Sequence, residues 1–151
     1  MTRTILIVSS ENRRRSGDVG YDCGVGERVG RDQALKTARN ATLDLMIEFA
    51  MEALLSGDGA RKRAMVRRMA ERWPTEPALA LVYAVTSATE TIEETFGPAA
   101  DRDPVIPLGY RLSALISADV HAVQSMGQIP SVAADLLHFW RRVDPLFLRL
   151  Q

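Results

Sequence analysis

Five arginines, Arg61, Arg63, Arg67, Arg68 and Arg72, crowd into the short segment RKRAMVRRMAER. On a helical wheel Arg61, Arg68 and Arg72 take one edge and Arg63 and Arg67 the other. Met65, Val66, Met69, Ala70 and Trp73 form the apolar face between them. Guanidinium groups disposed in this way can grip phosphate or an acidic partner. Residues 58–73 hold six positive and two negative charges. A solvated amphipathic face accounts for the same pattern. Glu90, Glu93 and Glu94, one helix later, offer an acidic surface that antiparallel packing would bring near it.

His121 is the next residue with chemistry to offer. Its wheel neighbours, Tyr110, Ala114, Ser117, Ala118, Gln124 and Ser125, are small or polar. An exposed imidazole among such side chains suits a phosphoacceptor surface. The segment is similar in this to histidine phosphotransfer domains, which are helical bundles of comparable size. Those domains place lysine at i+3 and glycine at i+4, where this chain has Gln124 and Ser125.

Two carboxylates raise further questions. Asp119 falls in the middle of the apolar face that Leu112 and Met126 share, where an unpaired charge is costly. It therefore needs a partner, and Arg111, Arg141 and Arg142 are the candidates. Asp135 and His138 form an i, i+3 carboxylate–histidine step, the step that di-iron bundles repeat with extra glutamates. Here it occurs once, and Glu90 and Glu93 are the carboxylates that could join it. A helix-turn-helix reader of DNA can also be drawn through residues 116–142, with Gly127 in the turn. Its second helix would present Ser131, Ala134, Asp135, His138, Arg141 and Arg142, a set poor in base-reading groups.

The stretch GYDCGVGERVG, residues 20–30, invites a phosphate-cradle reading. Such a cradle needs its glycines between a strand end and a helix start. The one candidate strand ends near Val8, too far upstream, and neither the dinucleotide spacing nor a P-loop lysine is present. No catalytic residue, cofactor or metal site is expected.

These residues need elements to hold them. Apolar residues make up 46% and charged residues 25% of the 151-residue chain, values ordinary for one soluble domain. The formal net charge is zero, so no global field draws it to nucleic acid or membrane. The single cysteine, Cys23, excludes an internal disulfide. No signal-like or spanning apolar run is present, and a cytoplasmic location is the default. The bias of 17 Arg over 2 Lys, with 19 Ala, reflects a GC-rich coding sequence rather than a function.

Residues 1–31 hold five of the ten glycines and few large apolar side chains, and read as a flexible arm with a short strand at residues 4–8. From there the period is helical. Asp32 caps a first helix that runs to about Leu55, whose second half, LDLMIEFAMEALL, is apolar nearly all round and suggests a central buried helix. Asp58 caps a second, which Pro74 ends. Thr75 caps a third, with Pro77 in its first turn and a core stripe of Leu81, Val85, Ala88, Ile92 and Phe96. A proline-rich loop over residues 98–107 leads to a fourth helix from Leu108 to Met126. Ser131 caps a fifth over residues 132–143, with Val132, Leu136, Phe139, Trp140 and Val143 on its inner face.

The Gly57-Asp58 turn and the closing Pro74 resemble one tetratricopeptide helix pair over about thirty residues, with Lys62 at a small-residue position of that repeat. No second repeat follows, so the likeness is to a helical hairpin. The C-terminus, LLHFWRRVDPLFLRLQ, is rich in apolar bulk, and Phe147, Leu148 and Leu150 must cover either their own core or a second copy.

The expectation is an all-α bundle of about five helices over residues 32–151, preceded by the arm. The favoured function is a non-enzymatic protein-interaction or regulatory protein, self-associating or binding an unknown protein. The alternatives are a nucleic-acid-binding regulator using residues 61–72 with Arg13–Arg15, and phosphotransfer at His121.

Overall fold

A computed structural model describes residues 25–97 and 104–150, with residues 25–39 described by backbone only. Six helices follow in the described residues: α1 (Val25–Leu55), α2 (Gly59–Arg72), α3 (Ala78–Phe96), α4 (Val105–Ser125), α5 (Ala133–Arg142) and the single turn α6 (Leu146–Arg149). No strand occurs among them, so the all-α class holds. The expected strand at residues 4–8, Arg13–Arg15 and Cys23 lie outside the described residues.

Helix ends follow local chemistry at some points and depart from expectation at others. Asp58 caps α2 as its position requires, its carboxylate accepting the Ala60 N–H at 2.8 Å. Trp73 closes α2 just before Pro74. Asp32, by contrast, lies inside α1, which already starts at Val25 and takes in residues 25–31 of the expected arm. Thr75 is not the cap of α3 either: Pro77 is, and the Ala78 N–H donates to the Ser131 carbonyl at 3.0 Å.

That last bond belongs to a small staple. The Ala133 N–H donates to the Glu76 carbonyl at 2.9 Å and the Ala134 N–H to the Pro74 carbonyl at 2.9 Å. Two loop segments thus satisfy orphan donors at the starts of α3 and α5 for each other, a task that side-chain caps perform elsewhere. Ser131 accordingly sits buried beside the turn and is not the cap of α5. The Asp135 carboxylate instead accepts the Val132 N–H at 2.9 Å.

The bundle is built around α3, which packs on α4 and α1. This corrects the expectation that α1 is central. Its second half buries Met46, Ala50, Ala53 and Leu54, while Leu45 and Leu55 face solvent. The helix is apolar nearly all round but covered on one side. Leu81, Val85, Ala88 and Ile92 line the inner face of α3 as their spacing predicts, whereas Phe96 at its end is exposed. Val143 is exposed too, because α5 stops at Arg142.

The α3–α4 contact is unusually close at one point. Gly109 lies against Thr89, and a Cβ at Gly109 would run into the Thr89 hydroxyl and methyl. Thr89 is fully buried, and its hydroxyl donates to the Val85 carbonyl at 2.7 Å, which holds the rotamer.

α2, α5 and α6 close the other side, where Trp140 and Phe147 pack with ring centroids 4.9 Å apart. Phe147 is fully buried. The C-terminal apolar residues therefore cover their own core: Phe147 enters it, and Leu148 and Leu150 pack partly buried against it. Phe147 is not an exposed interface residue. No helix among the described residues is long and apolar enough to cross a membrane.

Candidate functional site

The basic helix α2 divides its arginines among different tasks. The Arg61 guanidinium pairs with the Glu52 carboxylate of α1 at 2.9 Å. Arg67 lies 3.8 Å from Glu71 one turn on. The Arg72 guanidinium stacks over the Trp73 ring at 4.7 Å and the Phe49 ring at 5.7 Å, and those two rings meet edge to face. Arg63 and Arg68 are exposed. The cationic surface is thus smaller than the sequence suggests, because α1 and the aromatic corner absorb part of it.

The acidic residues of α3 do not answer α2. The Glu93 carboxylate accepts the Tyr110 hydroxyl of α4 at 2.6 Å. This bond, with smaller contributions from burial and from the Glu93, Glu90 and Glu94 charges, pushes the Tyr110 pKa up to about 12. Tyr110 holds the acidic face of α3, the role expected of the α2 arginines.

Asp119 has a partner, but not an arginine. The Trp140 indole N–H donates to its Oδ2 at 2.7 Å. Burial raises the Asp119 pKa, the indole hydrogen bond opposes that rise, and the nearby Asp144 charge adds to it. The bond joins α4 to α5.

His121 is exposed on α4, as a phosphoacceptor would have to be, and the Ser125 hydroxyl donates to its carbonyl at 2.8 Å. The Gln124 amide turns away toward Ser131 at 3.4 Å. His138 and Asp135 do lie together, in a shallow cleft of about 290 Å³ bordered by Met126 and Arg142. Asp135, however, is committed to the Val132 N–H. No group of three or more metal-ligating side chains exists among the described residues. In the helix-turn-helix reading, Gly127 does occupy the turn with φ of 92°. The face that α5 leaves outside holds Ala134, His138, Arg141 and Arg142.

The site that sequence reading missed is a groove of about 330 Å³ where α4, α6 and α2 meet. Leu108, Leu112 and Leu115 of α4 form one wall, and Leu146 with Leu150 forms the other. Arg63 from α2 and Arg111 from α4 stand at its rim. Leu112 makes the buried floor, Leu108, Leu115 and Leu150 are half-buried, and Leu146 is 36% exposed. The leucine period along α4 was visible in the sequence. That α6 would leave this row partly open was not.

Comparison with family models, with curated proteins and with solved structures finds no match to this chain.

Proposed function

We propose that this chain is a small non-enzymatic bundle that acts by binding another protein. The groove between α2, α4 and α6 carries this reading. It is a concave surface lined by leucines with cations at its edge, the composition that recognises a partner side chain rather than a reacting group. The exposed Met126 and Val143 at the cleft between α4 and α5 add apolar surface of the same kind. Self-association has a weaker motive, because Phe147 is used in the chain's own core.

Site-specific photo-cross-linking tests the reading. A photoreactive residue at position 146 is expected to give a discrete protein adduct in cells. The same residue at position 90, on the exposed face of α3, is expected to give none. Equal, diffuse labelling from both positions contradicts it.

A second reading, a nucleic-acid-binding regulator, draws on the exposed Arg63 and Arg68 of α2. Retention on heparin that falls steeply with added salt supports it, because phosphate contacts release counterions. Elution in the void at low salt removes it.

A further inference from the structure

We infer that the partner of the α2/α4/α6 groove is an acidic amphipathic helix that inserts leucine-type side chains between the two leucine rows. The inference rests on the binding-protein reading and names its partner class.

Three features of the groove converge on this occupant. The first is its length. Leu108, Leu112 and Leu115 sit at i, i+4 and i+7, so the wall they form spans about 10 Å along α4. That is the spacing at which a docked helix presents successive anchors. The second is its floor. The walls are leucine, and Leu112 at the bottom is buried. Nothing along the row offers a hydrogen bond that an inserted side chain would need to satisfy.

The third is charge. Arg111 is exposed at the rim and makes no hydrogen bond or ion pair among the described residues. Arg63 stands at the rim from α2. Arg149 of α6 is exposed as well. No carboxylate lines the groove among the described residues. A partner with glutamates flanking its apolar stripe meets this rim with complementary charge, whereas a basic helix is repelled.

Fluorescence anisotropy on the full chain tests the inference. The probe is a labelled peptide of about 18 residues with leucines at i, i+4 and i+7, glutamates flanking them, and alanine elsewhere. A second probe replaces each glutamate by lysine, and a third scrambles the leucines. The glutamate probe is expected to saturate, with the lysine and scrambled probes weaker by about tenfold or more. Arg111→Glu is expected to invert the preference between the charged probes. Leu146→Asp is expected to abolish binding of both. Each substituted side chain is exposed, and an unchanged thermal melt shows that the variants fold.

Equal binding of the charged probes, or an unaltered preference in Arg111→Glu, overturns the inference. So does saturation by dodecanoate without any peptide binding, which assigns the groove to a small amphiphile. No binding of any probe, combined with a protein adduct from position 146, overturns the partner class while leaving the binding-protein reading in place. No binding and no adduct overturns both.

Discussion

The indole N–H of Trp140 in α5 donates to the carboxylate of Asp119 in α4 at 2.7 Å, at the contact between the two helices. Trp140 is fully buried, so loss of that carboxylate leaves its indole N–H without its protein acceptor. Asp119→Ala is expected to cost about 1–3 kcal/mol, the penalty of an unsatisfied buried donor. Asp119→Asn keeps an acceptor and is expected to cost less. Chemical denaturation followed by tryptophan fluorescence measures both. Equal losses in the two variants would show that the hydrogen bond does not hold this corner.

The same pair has a pH signature. Burial raises the Asp119 pKa above 3.8, so its folded form holds a proton more tightly than the unfolded chain. Its contribution to stability is present below 3.8 and is lost as pH rises through the folded value. Asp119→Asn removes this dependence. Comparing the two proteins' denaturation midpoints across the acid range isolates it, and parallel profiles contradict the assignment.

Gly109 and Thr89 set the approach of α4 to α3. Gly109→Ala places a methyl against the Thr89 side chain, which its bond to Val85 holds in place. The expected loss is about 1–3 kcal/mol, as for other overpacked cores. Adding Thr89→Ala is expected to recover part of it, a coupling that a double-mutant cycle reads directly. Additive losses would mean that the two side chains do not meet.

Tyr110 is expected to ionise only at about pH 12, because its proton bridges to Glu93. The hydrogen bond's stabilising contribution is present below the ordinary value of 10.0 and lost as pH rises through about 12. Glu93→Gln is expected to bring the tyrosinate absorbance midpoint back toward that ordinary value. Subtracting the Tyr110→Phe titration assigns the signal, and a midpoint unmoved by Glu93→Gln contradicts it.

Phe147 and Arg68 separate core from surface. Phe147→Ala is expected to cost about 3–5 kcal/mol, since the ring is buried against Trp140. Arg68→Ala, at an exposed position, is expected to shift stability by no more than about 0.5 kcal/mol. Thermal melts of the two variants decide it.

Much of this architecture was legible in residue order, and the failures have physical causes. Asp58 and Pro74 bracket α2 because a capping carboxylate and a missing N–H act within one turn. The period of Leu81, Val85, Ala88 and Ile92 located the buried face of α3. Thr75 and Ser131 misled because their segments satisfy each other's backbone groups, a tertiary arrangement that no local pattern carries. The Asp119 partner was sought among arginines, yet a buried indole N–H answers a carboxylate without bringing in a second charge. The acidic face of α3 found Tyr110 rather than α2 because α4 is its neighbour, and helix adjacency is not written in charge. The groove escaped because it exists only where α6 stops short of covering the α4 leucines.

Whether the groove awaits a foreign partner or a second copy of this chain is the point on which the account turns. Light scattering on the full chain and on Leu146→Asp measures it most directly. A monomer is expected in both, with Phe147 inside its own core and the groove open. A dimer that Leu146→Asp dissolves would contradict it, and would make the leucine rows an interface between copies of the chain.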